Sequence, residues 1–292
     1  MAPLTISSTL KLSSGQHIPL LGLGVYQNDD CVPAVEAALK AGYRHIDTAQ
    51  MYRNEEQVSA AVKASGIPRE SIWITSKVFQ VDNKTSASVQ SSLKKLDLDY
   101  IDLYLIHSGH GGKDVRLQTY KTLLEFVGPD KPLRSIGVSN YNIKHLEEIR
   151  EAGLPTPTVN QIEVHDCLLA PDQPNQSLYT KLHPFCQQKP IVEYCKEHGI
   201  AISAYCPLVR GDFRNSVFQE VAKEVNKTPA QVLVRWSLQK GFVPLPKSAH
   251  PARVVTNADL YDFELSEVAM AKLDALDRGS DGAVSWNPID VE

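Results

Sequence analysis

The 292 residues, 42% hydrophobic and 22% charged, have the composition of an ordinary globular protein, long enough to bury a sizeable core without a disulfide or a metal. Thirty Lys and Arg against 34 Asp and Glu leave a formal net charge of −4. With no block of like charge, that balance argues against a general nucleic-acid or anionic-membrane surface. The opening residues lack a basic segment followed by an apolar run, and no stretch approaches the roughly 18 apolar residues of a membrane span, so a cytoplasmic protein with no membrane partner is expected. Five cysteines, Cys31, Cys167, Cys186, Cys195 and Cys206, show no C-x-x-C spacing and fit buried, reduced thiols.

In chain order, residues 9–12 and 17–20 flank Ser13-Ser14-Gly15-Gln16 and predict a β-hairpin. Short apolar runs follow at 21–25, 43–47, 72–77, 101–107, 133–138, 158–163, 200–205 and 242–245, each bounded by polar, Gly or Pro residues, as buried strands are. Amphipathic stretches at 31–40, 55–64, 85–96, 116–126, 144–151, 190–197, 229–239 and 266–276 alternate with them. Eight strand–helix units in a chain of this size predict a (β/α)8 TIM barrel with the hairpin capping one end, and a doubly wound sheet is the alternative. No linker divides the chain, so residues 1–292 are expected to form one domain, with 277–292 as an irregular tail.

Barrel chemistry gathers where the strands end, because the βα loops converge on one face. Those ends carry Asp47, Lys77, His107, Ser139-Asn140, Gln161, Tyr205 and Lys247-Ser248. Singly, each has a structural explanation: Asp47 could cap a helix, Lys77 could be a solvated strand end, and His107 could be a satisfied loop histidine. Together, at equivalent positions, they would face one pocket.

These residues carry a resemblance. Gly42-Tyr43-Arg44-His45-Ile46-Asp47-Thr48-Ala49-Gln50-Met51-Tyr52, Ile74-Thr75-Ser76-Lys77, Asp102-Leu103-Tyr104-Leu105-Ile106-His107 and Ser135-Ile136-Gly137-Val138-Ser139-Asn140 resemble stretches of the aldo-keto reductase family, in its aldose or aldehyde reductase-like, fungal-type form. Val159-Asn160-Gln161-Ile162-Glu163, Ala204-Tyr205-Cys206-Pro207-Leu208 and Pro244-Leu245-Pro246-Lys247-Ser248 continue the match in order over almost the whole chain. The resemblance implies an NADP-dependent oxidoreductase that reduces aldehyde or ketone carbonyls to alcohols, using NADPH bound across the strand-end face and accepting NADH more weakly.

Such a reduction needs a hydride, a proton for the developing alkoxide and a donor that holds the carbonyl oxygen. No side chain supplies hydride, so a nicotinamide must. Tyr52 resembles the family's proton donor, Lys77 is expected to lower its pKa, Asp47 to pair with Lys77, and His107 to orient the substrate oxygen. The resemblance further implies Ser139, Asn140 and Gln161 at the nicotinamide carboxamide, Tyr205 stacked on the ring with Pro207 and Leu208 beside it, and Lys247, Ser248, Arg253 and Asn257 at the adenosine end. Two cations and a hydroxyl there suit a 2′-phosphate. Tyr26, Phe79, His107 and His110 are candidate substrate contacts, an aromatic wall that suits an apolar or amphipathic carbonyl compound.

Two glycine-containing stretches fail as nucleotide motifs and read as loops. Leu21-Gly22-Leu23-Gly24 lacks the third glycine and the helix of a dinucleotide fingerprint, and Gly109-His110-Gly111-Gly112-Lys113-Asp114 lacks the spacing and the Ser or Thr of a P-loop. The family's pattern is interrupted at 166–183, a Pro-, Asn- and Gln-bearing insertion that reads either as a lid or as a remnant of unspliced coding sequence. Two rival functions remain open at this stage: a metal-dependent hydrolase using His45, Asp47, His107, His110 and His165, and a cofactor-binding regulatory subunit without turnover. A monomer without a resident metal is expected.

Overall fold

The computed structural model describes residues 3–79, 84–162 and 184–278. Strands β1 (Thr9–Lys11) and β2 (His17–Pro19) pair antiparallel with Leu10 opposite Ile18. There follow β3 (Leu23–Gly24), α1 (Val32–Lys40), β4 (His45–Asp47), α2 (Glu55–Ala64), β5 (Trp73–Val78), α3 (Thr85–Leu96), β6 (Ile101–Ile106) and α4 (Gly112–Leu124). Next come β7 (Leu133–Ser139), α5 (Ile143–Glu151), β8 (Val159–Ile162), α6 (Lys189–Glu197), β9 (Ala201–Tyr205), α7 (Ser216–Glu224), α8 (Pro229–Gln239), β10 (Val243–Leu245), α9 (Pro251–Thr256) and α10 (Glu267–Asp274).

Strands β3 to β10 lie side by side in chain order, each parallel to the next. The two ends of that sheet meet. Gly22 N donates to Pro244 O at 3.1 Å, Gly24 N donates to Pro246 O at 3.2 Å, and Gly24 bridges Lys247 in parallel. The result is the nearly closed (β/α)8 barrel expected from the pattern, and the doubly wound alternative falls because its sheet would have two free edges. Gly22 has a steric reason to be glycine at this seam: a Cβ there would lie 2.5 Å from Leu245 Cδ2 and 2.7 Å from His45 Nδ1.

Side chains alternate along each strand, so every second residue enters the barrel. On β5, Ile74 and Val78 join the cluster shared with the helices, while Trp73 packs inside with Leu103, Leu105, Val159 and Val243. Leu12 and Ile18 of the hairpin complete that inner cluster, and Ser14 Oγ meets Ser135 Oγ of β7 at 2.8 Å. The hairpin thus plugs the end where the strands begin. Further up the interior, Trp73 Nε1 donates to Thr75 Oγ1 at 3.2 Å, and His45 Nε2 meets the same hydroxyl at 3.0 Å. Burial drives the His45 pKa down to about 3, leaving the ring neutral. Lys77 is the next inward position, at the mouth opposite the plug.

Helix starts follow capping chemistry. Asn142 and His145 form a capping box on α5, Thr228 and Gln231 form one on α8 behind Pro229, and Ser266 Oγ accepts from Ala269 N on α10. The structure departs from the sequence reading in three places. Helix α7 was not predicted, although Asn215 Oδ1 accepts from Val217 N and Phe218, Val221 and Ala222 bury one face at helical spacing. Helix α9 is too short to show a period. Helix α4 starts at Gly112 rather than Arg116, so Gly112-Lys113-Asp114 are helical and not loop. Leu23–Gly24 is the opening barrel strand expected at 21–25, and the loop reading of 21–24 yields to it. Insertion 166–183, His165, Cys167 and the tail beyond Arg278 lie outside the described residues. Among the described residues, no helix is long and apolar enough to cross a membrane.

Candidate active site

Strand β4 ends with Asp47 and β5 carries Lys77, both on the inward face and both buried, at 3% and 0% exposure. Lys77 Nζ donates to Asp47 Oδ1 at 2.6 Å and to Thr48 O at 2.9 Å, and it reaches Tyr52 Oη at 3.4 Å. Tyr52 closes a single turn of 3₁₀ helix, Gln50–Tyr52, which folds the β4–α2 loop back over the strand end. Asn54 anchors that loop: Thr48 Oγ1 donates to Asn54 Oδ1 at 2.7 Å, and Asn54 Nδ2 donates to Val25 O at 2.9 Å. His107 follows β6 and sets its ring edge-on to Tyr52, with centroids 5.5 Å apart. Tyr26 packs on the other side of Tyr52 at 4.8 Å, and Phe79, which is 52% exposed, lies 6.3 Å from His107.

The electrostatics differ from the sequence expectation at Tyr52. Lys77 was expected to lower its pKa, yet the phenol stands well above its ordinary value, first through burial and then through the negative charge of Asp47, with Cys206 and Tyr26 adding to it. Lys77 does not offset these causes, since it sits 2.6 Å from a carboxylate and 3.4 Å from the phenol. Burial also raises Asp47 and lowers Lys77, while their mutual attraction opposes both shifts. Tyr52 therefore keeps its proton across the neutral range.

A second tier lies under the β7 and β8 ends. Gln161 Nε2 donates to Asp47 Oδ2 at 2.7 Å, so both carboxylate oxygens are occupied. Ser139 Oγ donates to Gln161 O at 2.8 Å, and Asn140, in the left-handed region at φ 59°, donates through Nδ2 to His107 O at 3.0 Å and accepts from Tyr205 Oη at 2.8 Å. Asparagine tolerates that backbone better than most residues. These bonds join the ends of β4, β6, β7, β8 and β9 into one network.

From Tyr52 a cleft of about 860 Å³ runs across the seam of the barrel. Tyr26, Asp47, Tyr205, Pro207, Leu208, Lys247, Ser248, Arg253 and Asn257 line it, as do Gln27, Cys206, Arg210, Thr228, His250 and Thr256, which sequence reasoning missed. Gln27 and Arg210 take left-handed backbone at φ 49° and 51°, which a non-glycine residue does not announce. Lys247 is an exposed side chain on the cleft wall, and partial desolvation lowers its pKa, against the attraction of Cys206 and Asp29. Ser139, Asn140, Gln161 and His107 do not line the cleft but connect to residues that do, Asn140 through Tyr205, Gln161 through Asp47 and His107 through Tyr52, and His110 is exposed on the β6–α4 loop outside it. Two members of the ligand set of the metal-dependent rival are otherwise engaged: His45 meets Thr75, and Asp47 holds Lys77 and Gln161.

Comparison with known proteins agrees with this architecture. The profile of the Aldo/keto reductase family matches residues 15–278. Glyoxal reductase of Bacillus subtilis is 41% identical over 296 aligned positions, covering 99% of both chains. Methylglyoxal reductase of Escherichia coli strain K12 is 37% identical and covers 93% of this chain and 94% of its own. Among solved structures, an aldo/keto reductase from Brucella melitensis superposes with a TM-score of 0.83 at 38% identity, covering 94% of this chain and 99% of its own. Fold and sequence similarity over nearly the full length agree, and the chain belongs to the aldo/keto reductase family of oxidoreductases.

Proposed function

We propose that the protein is an NADPH-dependent reductase of aldehydes and ketones in which Tyr52 donates the proton. The observation that carries this reading is Lys77 Nζ touching both Asp47 and Tyr52 at the inner end of the cleft. A dinucleotide fits the donor set present. The cleft is lined by an aromatic, Tyr205, and by Lys247, Ser248, Arg253 and Asn257, and the partly desolvated Lys247 ammonium favours an anion beside it. A nicotinamide bound there supplies hydride to the carbonyl carbon.

The protein's own groups do the rest. His107, at the cleft border, donates a hydrogen bond that orients the carbonyl oxygen. Tyr52 holds a proton through the neutral range and releases it to the oxygen as alkoxide character builds, because an alkoxide is a far stronger base than a phenolate. Lys77 stabilises the phenolate left behind, and Asp47, held from its other side by Gln161, keeps the ammonium in place. Ser139, Asn140 and Gln161 position the nicotinamide amide, Tyr205, Pro207 and Leu208 pack along the cofactor, and Arg253 reads a 2′-phosphate with Lys247. Tyr26 and Phe79 flank the substrate, and His110, outside the cleft on the exposed β6–α4 loop, is left to contact only a substrate long enough to extend past Phe79. The named activities of the glyoxal and methylglyoxal reductases support small aldehydes and dicarbonyls as a starting set. We further read the protein as a single-domain cytoplasmic monomer.

Steady-state turnover of an aldehyde and ketone panel with NADPH and with NADH tests this function, and absence of turnover on every member with both cofactors overturns it. Arg253→Ala provides the cofactor test. Loss of a charge-assisted contact is expected to weaken NADPH about tenfold to a hundredfold while leaving NADH nearly unchanged. Equal weakening of the two, read from their dissociation constants, would remove Arg253 from the phosphate site.

A further inference from the structure

The loop that carries His107 is held by a buried ion pair outside the reductase tetrad. Arg116 of α4 and Glu148 of α5 are 2% and 4% exposed. Arg116 Nε donates to Glu148 Oε2 at 2.8 Å and Nη2 donates to Oε1 at 2.7 Å, a two-pronged pairing. The remaining prong, Nη1, donates at 2.7 Å to the backbone oxygen of Gly109, two residues beyond His107. On its other side Gly109 lies against His145, which is buried and fixed by the α5 capping box and by Tyr141 at 5.4 Å. A Cβ at Gly109 would come within 2.8 Å of His145 Nδ1. The near end of the same loop is tied by Asn140 Nδ2 to His107 O.

We infer that Arg116 and Glu148 are positioning residues for the reduction, fixing the β6–α4 loop against α5 so that His107 meets the substrate oxygen in a defined place. The inference rests on the reductase reading for its consequence in turnover and on geometry alone for the brace.

Two charges taken out of water give back little net stability, and an apolar pair of similar volume often serves the fold equally well. What an apolar pair lacks is a donor for the Gly109 carbonyl. The loop peptide from 107 to 109 is gripped at both ends, by Asn140 from the β7–α5 loop and by Arg116 through α5. The grip links the proposed carbonyl-orienting histidine to the proposed nicotinamide-amide residues, so substrate and cofactor would be located by one rigid body. Small misplacements of that kind are expensive in catalysis.

The test is the double variant Arg116→Met with Glu148→Leu, read by two measurements on the whole protein. Amide hydrogen exchange across residues 107–112 is expected to accelerate while the strands stay protected. With the best carbonyl of the panel, kcat/KM is expected to fall about tenfold to a hundredfold, the loss appearing in kcat as well as KM, with the NADPH dissociation constant unchanged. Unchanged exchange in the loop overturns the brace, and faster exchange with wild-type kcat/KM overturns its part in the reaction. If the double variant does not fold, Arg116→Lys replaces it: an ammonium keeps the charge opposite Glu148 but cannot serve both its carboxylate and Gly109 O, so the same loop exchange and the same kinetic loss are expected at near-wild-type melting temperature. Should the wild-type protein reduce no carbonyl, the functional reading fails, and the exchange measurement still decides the brace.

Discussion

Tyr52→Phe is expected to reduce carbonyl turnover by about 10²- to 10⁴-fold, the range general-acid catalysis supplies, while the NADPH dissociation constant stays within a factor of about two. The substitution removes the hydroxyl that lies 3.4 Å from Lys77 Nζ and keeps the ring against Tyr26 and His107. Because the ring stays, neither the cleft wall nor the His107 position should change, so the loss would fall on kcat rather than on cofactor binding. Single-turnover oxidation of NADPH in the presence of saturating aldehyde measures it directly. Retention of most of the wild-type rate would take the proton donor away from Tyr52 and return the search to His107.

Lys77→Met carries the second large effect, and it touches stability as well as rate. Removing one partner of a buried ion pair leaves the other charge uncompensated, at a cost of about 3 to 5 kcal/mol. Here the orphan is Asp47, 3% exposed, with Gln161 as its remaining hydrogen-bond donor. Burial already raises the Asp47 pKa, with Lys77 opposing it, so the variant raises it further. A carboxyl whose folded pKa exceeds its unfolded value takes up a proton on folding, and stability then falls as pH rises between the two values. The melting temperature of Lys77→Met should therefore lie furthest below wild type at alkaline pH and approach it as pH is lowered towards the ordinary carboxylate range. A deficit independent of pH would mean that Asp47 is not the residue left uncompensated. Turnover should fall at every pH, since the phenolate of Tyr52 loses its neighbouring cation.

Much of the architecture was legible because a barrel strand states itself twice, as a short apolar run and as a polar residue at its end. Residues 101–107 show both, and β6 with His107 stands where they predict. The inward alternation of Trp73, Thr75 and Lys77 likewise follows from a period of two. Pairings between distant residues were not legible. Gln161 meets Asp47 across 114 positions and Arg116 meets Glu148 across 32, and no local pattern encodes either. Helix α7 was hidden for a different reason: its cap, Asn215, follows Gly211-Asp212-Phe213-Arg214, a run that reads as loop and masks the apolar spacing after it. The direction of the Tyr52 pKa follows first from burial of the phenol and then from the charge of Asp47 beside it, neither of which the order of residues carries.

The seam between β3 and β10 makes the cleft a late product of synthesis. Gly24, Tyr26 and Gln27 form one bank and Lys247, Ser248 and Arg253 the other, so neither bank is a binding surface until the last barrel strand has emerged from the ribosome and found the first. Long-range closure of this kind is slow relative to local helix formation. A ligand held across the two banks binds the closed ring and not the opened one, so its concentration sets how firmly the ring stays shut. The cellular pool of that ligand would then govern how long a finished chain survives proteolysis, independently of how fast it turns over.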